Sequence, residues 1–131
     1  MSIKRIVPDI ASAKLEDSRC FYGDFLGLDL VMDQGWVMTF ASPVNPSAQV
    51  TLMDQNTSDG VMPDMSIEVQ DVRESYAQAR RRGLQVIYPL TVEPWGVIRF
   101  FVKDPNGKIV NVMGHVDGDE SESGKADCSD A

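Results

Sequence analysis

The residues of this chain that could carry acid–base or metal chemistry are few and dispersed. The 131 residues include one histidine, His115, and two cysteines, Cys20 and Cys128. A two-histidine site within one chain is therefore impossible. His115 borders an acidic tail, which is a poor position for Ser-His-Asp or Cys-His catalysis. We expect neither His115 nor Cys20 to have a chemical role.

Three carboxylates in or directly beside predicted strands are the remaining candidates. Asp9 lies in the first strand, and Asp64 and Glu68 lie at the start of the second half of the chain. They could pair with a cationic ligand, or one could act as a general base if burial raised its pKa. Solvated acids at a sheet edge are the plainer interpretation, and no catalytic residue is assigned.

Composition limits the class of protein. Hydrophobic residues make up 43% and charged residues 24%, as in a globular protein, and no apolar run is long enough to span a membrane. The net charge is −8, of which the tail 116–131, with six acids and one lysine, supplies −5. An acidic chain argues against nucleic acid as a partner. The absence of a secretory signal and the two cysteines favour the cytoplasm.

Apolar periodicity predicts the same series of elements twice. The first half reads as strands over 3–10, 28–32, 36–41 and 48–53, with a helix between Ser12 and Gly27. The second half reads as strands over 65–69, 84–87, 97–102 and 109–113, with a helix over 72–82 that begins at the capping box Asp71 to Glu74. Pro8 predicts an edge or a bulge in the first strand.

The repeat defines the predicted domain organisation. Gly27-Leu28 and Gly83-Leu84 each follow a helix, 56 residues apart. We predict a single domain over 1–115, with modules 1–54 and 64–115, a linker at 55–63 and an acidic disordered tail at 116–131.

Several local patterns, taken in order, resemble the vicinal oxygen chelate superfamily, the group of glyoxalase I, bleomycin-resistance proteins and extradiol dioxygenases. They are Phe21-Tyr22-x-x-x-Leu26-Gly27-Leu28, Val69-Gln70-Asp71-Val72, Arg82-Gly83-Leu84, Trp95-Gly96 and Asp104-Pro105-Asn106-Gly107-Lys108. The resemblance implies an α+β fold of two tandem βαβββ modules, whose mixed sheets curl around a cavity. It also implies a homodimer.

In metal-dependent members of that superfamily, four His, Gln or Glu ligands line the cavity. The corresponding positions here carry Val7 (or Asp9, if the alignment slips at Pro8), Thr51, Asp64 and Asn111. Borderline transition metals prefer imidazole, thiolate and carboxylate ligands, so these residues do not predict a metal site. No other cofactor is expected.

Strand alternation then predicts which residues contact a ligand. Alternation alone does not decide which face of the 97–102 strand points inward, and core packing is the plainer interpretation of the aromatic and Met residues. The predicted ligand-binding residues are Trp36, Met38, Phe40, Thr51, Met53, Asp64, Ser66, Trp95, Arg99, Phe101, Asn111 and Met113.

The sequence leaves three functions open. The first is a metal-independent binding protein of the bleomycin-resistance type, which sequesters or carries a flat aromatic compound, cationic or neutral, such as an antibiotic. The second is a glyoxalase-like lyase or isomerase with an atypical site. The third is an interaction module whose own side chains fill the cavity. Residue types at the four ligand positions favour the first.

Overall fold

The structure is a computed structural model, and it describes residues 1–54 and 61–116. Most of the predicted linker 55–63, and the predicted tail beyond residue 116, lie outside the described residues. Within the described ranges, no helix is long and apolar enough to cross a bilayer.

The first module contains a strand, a helix and three further strands. Its helix starts as one α-helical turn, α1 (Leu15–Ser18), and continues as a π-helical segment (Arg19–Phe25). Gly27, at a φ of +76°, ends it as predicted, because glycine reaches the left-handed region without steric cost. The strands are β1 (Ile3–Ala11), β2 (Asp29–Asp33), β3 (Val37–Ala41) and β4 (Gln49–Met53).

The second module repeats this order. Its helix, α2 (Val72–Arg81), begins at the predicted cap, where the Asp71 side chain accepts a 3.0 Å hydrogen bond from the Glu74 backbone N–H. The strands are β5 (Met65–Val69), β6 (Val86–Val92), β7 (Val97–Lys103) and β8 (Ile109–His115).

All eight strands form one mixed, unclosed sheet in the order β2-β3-β4-β1-β5-β8-β7-β6. β1 is parallel to β4 and β5 is parallel to β8, while β1 and β5 are antiparallel to each other. The strand order is therefore the same on either side of the β1–β5 pair. An approximate twofold axis at the Pro8–Met65 pair relates the two modules. The predicted α+β fold with two βαβββ modules is confirmed.

Two prolines lie where the sequence did not predict them. Pro8 predicted an edge or a bulge in this strand. β1 is a central strand, so the edge is wrong, and its register shift against β5 lies between Ile3 and Arg5. Pro8 ends the ladder with β5, and the ladder with β4 begins at Asp9, so Pro8 lies where the strand changes partner. Pro89 lies within β6, which runs well beyond the predicted residue 87 because an edge strand tolerates a missing N–H.

The helices cover one face of the sheet and create two apolar cores. Phe40, Met38 and Leu52 pack under the first helix. Phe100, Ile98 and Val112 pack under α2 with Val69 and Val72. The alternate residues of these strands must point to the opposite face, which we call the concave face.

Candidate functional site

Many side chains of the concave face are buried, although neither of the helices in residues 1–54 and 61–116 covers it. Val7, Phe101 and Met113 are only 4–5% exposed, and the hydroxyl-bearing Thr39 is buried as well. These side chains lie on the face opposite the two helical cores, so the sheet itself must curl around them. The burial places polar groups of both modules in a largely apolar interior.

A chain of three polar side chains crosses the junction of the modules. Ser66 Oγ donates a 2.6 Å hydrogen bond to Asp9 Oδ2, and Asn111 Nδ2 donates a 3.0 Å hydrogen bond to Ser66 Oγ. Asn111 Oδ1 is buried and accepts no hydrogen bond from the residues that the structure describes. We call Asp9, Ser66 and Asn111 the polar trio.

Asp9 is electrostatically unusual within this trio. Burial raises the pKa of its carboxyl to about 6, although the hydrogen bond from Ser66 and the positive charge of Arg5 act in the opposite direction. The negative charge of Asp64 adds to the increase. Asp9 is therefore a carboxyl group whose pKa lies well above that of an ordinary aspartate, at about 6.

An aromatic cluster lies beside the trio, because Phe101 pairs with Asn111 in the β7–β8 ladder. The Arg99 guanidinium carbon lies 5.0 Å from the ring centroid of Phe101, 5.4 Å from that of Trp95 and 5.5 Å from that of Tyr88. Such distances fit cation–π contacts. Trp95 is 60% exposed, so its ring contacts Arg99 and is also open to solvent.

Glu93 neutralises Arg99 within this cluster. It accepts 2.8 Å hydrogen bonds at Oε2 from both Arg99 Nε and Tyr88 Oη, and it is itself 8% exposed. The sequence analysis did not single out Tyr88 or Glu93, because the strand that carries Tyr88 was predicted to end before Pro89. Their separation from Arg99 along the sequence does not predict this contact, which depends on the pairing of β6 with β7.

A second charged group spans both modules on the same face. Arg5 Nε lies 2.6 Å from Glu68 Oε1, Arg5 also donates to Gln49 Oε1, and His115 Nδ1 lies 3.3 Å from Glu68 Oε2. Burial alone would raise the pKa of Glu68, but the hydrogen bonds and charges of His115 and Arg5 outweigh it and lower that pKa to about 2. Glu68 is therefore held ionised and is a weak base.

The four positions that carry metal ligands in the resembled superfamily do not fit a transition metal here. At the first position Val7 has no donor atom, and Asp9, the alternative, accepts a hydrogen bond from Ser66 Oγ. At the second, the Thr51 hydroxyl lies 2.9 Å from that of Thr39. Asp64 is exposed, and its Oδ2 accepts the Ile109 backbone N–H at 2.8 Å. Across residues 1–54 and 61–116, no three His, Cys, Asp or Glu side chains are grouped as metal ligands would be.

The structure divides the predicted ligand-binding residues into groups. Ser66 and Asn111 belong to the polar trio. Trp95, Arg99 and Phe101 belong to the aromatic cluster. The face of β7 that carries Arg99 and Phe101 is therefore the concave one. Thr51, Met53 and Met113 alternate with the core residues Leu52 and Val112, so they lie on the concave face.

Four predicted residues lie elsewhere. Met38 and Phe40 are 2% and 0% exposed in the core under the first helix, because their alternation is opposite to that of Thr39. Asp64 bonds the backbone instead of facing the trio. Trp36 precedes β3, and because β1 and β5 are antiparallel, it lies towards the opposite end of the strands from Trp95. The two tryptophans therefore do not form one pair.

Comparison with known proteins agrees with this architecture. Residues 2–112 match the family model of the Glyoxalase/Bleomycin resistance protein/Dioxygenase superfamily. No curated protein matches the sequence.

Solved structures share the fold at low identity. A superfamily member from Vibrio splendidus 12B01 has a TM-score of 0.67 at 16% identity, covering 86% of this chain and 99% of its own. A hypothetical protein from Bacillus halodurans C-125 has a TM-score of 0.69 at 16% identity, covering 92% and 99%. Methylmalonyl-CoA epimerase from Mycobacterium tuberculosis has a TM-score of 0.63 at 16% identity, covering 88% of each chain. With the family model spanning nearly all described residues, this chain belongs to the glyoxalase/bleomycin resistance protein/dioxygenase superfamily.

Proposed function

We propose that this protein binds a flat aromatic small molecule on the concave face without a metal ion, and sequesters or carries it in the cytoplasm. Antibiotics of that shape are one candidate class of ligand. The proposal is carried by Trp95, whose ring is 60% exposed and contacts the guanidinium of Arg99. That guanidinium is itself paired with a carboxylate.

The chemistry of the neighbouring side chains supports this function. A planar ligand that stacks on Trp95 would meet an apolar interior with a few polar groups, the usual composition of small-molecule sites. Val7, Thr51 and Asn111 at the superfamily's ligand positions favour recognition by shape and hydrogen bonding over coordination.

Isothermal titration calorimetry with 2-naphthalenemethanol as a flat neutral probe tests the proposal, using protein treated with EDTA. We expect binding that is unchanged by EDTA and weakened at least about tenfold by Trp95→Ala, since stacking contributes about 1 kcal/mol beyond the loss of contact area.

Trp36→Ala is the matched control, because it removes an equally large and partly exposed ring at the other end of the strands. Binding that is lost on EDTA treatment, or that depends on Trp36 and not on Trp95, would contradict the proposal.

One observation favours a second function, a lyase or isomerase. Among the three candidate bases, Glu68 is held ionised and Asp64 bonds the backbone, whereas burial raises the pKa of Asp9 to about 6. Asp9 is the carboxyl suited to general-base catalysis. Exchange of an acidic C–H of an added dicarbonyl compound in D₂O, lost in Asp9→Asn, would identify this activity by NMR.

A further inference from the structure

The carboxylates on the concave face differ in how their charge is compensated. Glu68 has Arg5 and His115 within 3.3 Å, and Glu93 has Arg99 at 2.8 Å. Asp9 has no cation within ion-pair distance in the described part of the chain, and its one side-chain hydrogen bond comes from the neutral Ser66. Asp9 therefore carries the uncompensated charge of this interior.

The polar trio also has fewer hydrogen-bond donors than its acceptor atoms require. Ser66 has one hydroxyl hydrogen, which it gives to Asp9, and Asn111 gives an amide hydrogen to Ser66. This leaves Asn111 Oδ1 without a donor although the residue is only 7% exposed. A buried acceptor without a partner is unfavourable, and so is a buried unpaired carboxylate. Both deficits are corrected by the same chemical group, a cation that carries several N–H donors.

The nearest fixed cations do not correct these deficits. Arg5 is committed to Glu68 and Gln49, and Arg99 is committed to Glu93 and enclosed by three aromatic rings. Both act on Asp9 only through space.

We propose that the polar trio is the recognition site for a protonated amine on the bound aromatic molecule, with Asp9 as its counter-ion and Asn111 Oδ1 as a second acceptor. This inference rests on the proposed function, because the aromatic part of the ligand stacks on the adjoining cluster. It narrows the ligand class to aromatic amines.

Three naphthalene compounds with one ring system and different charge test the inference by calorimetry at pH 7.5. They are 2-(aminomethyl)naphthalene, 2-naphthalenemethanol and 2-naphthoate. We expect the amine to bind at least about tenfold tighter than the alcohol, and the carboxylate to bind weakest, because a charge-assisted hydrogen bond is about twice as strong as a neutral one.

Two variants with the same change in net charge locate the effect. Asp9→Asn should remove the preference for the amine over the alcohol. Asp64→Asn should retain it, because that side chain bonds the Ile109 backbone N–H, which an asparagine oxygen can still accept. Asn111→Leu, which removes the second acceptor at similar volume, should reduce the preference without changing the protein's charge.

Proton release provides a readout that does not require a variant. Amine binding favours ionised Asp9, so at pH 6 it should release roughly half a proton per molecule bound, measured in buffers of different ionisation enthalpy. The alcohol should release none. The charges of Arg5, Asp64 and Arg99 act on the Asp9 carboxyl through space, and Glu68 and His115 form the neighbouring ion pair with Arg5.

The outcomes separate the two proposals. Equal affinity for amine and alcohol overturns the amine site and leaves the binding function standing. Tightest binding of the carboxylate overturns it as well and points to Arg99 as the recognition residue. Failure of all three probes to bind overturns both the binding function and the amine site.

Discussion

Asp9 is the residue whose environment has the clearest thermodynamic consequence. Burial raises its pKa to about 6 in the folded protein, whereas an unfolded aspartate titrates near 4. The folded state therefore holds the proton more tightly. The stabilising effect is complete below about pH 4 and is lost as the pH rises through 6.

We predict that Asp9→Asn gains stability relative to the parent protein as the pH increases. Between pH 4 and pH 7 the difference in unfolding free energy should change by about 2 kcal/mol in favour of the variant, from a shift of about two pKa units. Urea unfolding of both proteins at several pH values measures it, and the titration of all other groups cancels. A difference that does not vary with pH would show that Asp9 has an ordinary pKa.

The candidate site was predictable from the sequence only in part. Alternation placed Ser66, Asn111, Arg99 and Phe101 on strands, but neither the hydrogen bond from Ser66 to Asp9 nor the Glu93–Arg99 pair could be inferred. Both contacts join residues whose proximity depends on register. His115, expected to have no chemical role, contacts Glu68 across the β5–β8 pair for the same reason.

At the scale of elements, Gly114 shows how tightly β8 and the start of α2 are packed. A Cβ atom added there would lie 2.7 Å from Val72 Cγ2 and 3.1 Å from the Val69 carbonyl oxygen. Backbone conformation does not require glycine at this position. The close approach of the strand to the α2 N-terminus does.

We predict that Gly114→Ala destabilises the protein by about 1–3 kcal/mol, because a β-branched side chain and a backbone atom must both move. Gly23→Ala is the matched control. Its Cβ would meet only Phe40, at an ordinary 3.6 Å, and alanine favours helices over glycine by about 1 kcal/mol. Thermal unfolding of the two variants should show opposite shifts. Equal shifts would contradict the packing argument.

The element series itself was largely readable from the sequence. Helix caps and turns are local signals, so α2, Gly27 and Gly83 were predicted at or near their positions. The central place of β1 was not, because strand order depends on contacts between modules. The π-helical segment Arg19–Phe25 gave no signal distinguishable from that of an α-helix.

At the scale of the whole molecule, homodimer formation remains a prediction. The first helix and β2 carry five large apolar side chains that are partly exposed, and exposed apolar side chains of this size are typical of protein interfaces. Their exposed fractions range from 36% at Leu30 to 72% at Phe25. The five are Phe21, Phe25, Leu26, Leu30 and Val31.

We predict that sedimentation velocity gives a dimer, and that Phe25→Lys shifts it to a monomer by placing a charge within the apolar surface. Val44→Lys is the control, since Val44 is 91% exposed in a loop and belongs to no such group. A parent protein that sediments as a monomer, or a Phe25→Lys variant that remains dimeric, would argue against this interface.

The approximate twofold axis places different residues at equivalent positions of the two modules. Asp9 and Ser66 occupy equivalent positions in the two modules, as do Thr51 and Asn111, because Asp9 pairs with Thr51 as Ser66 pairs with Asn111. The two modules therefore contribute two equivalent pairs of positions, related by the twofold axis. The carboxyl group of Asp9 is what makes the first pair different from the second. Exchanging the two residues, with Asp9→Ser and Ser66→Asp, would preserve composition and net charge while moving the carboxyl group of the proposed amine site from the first module to the second.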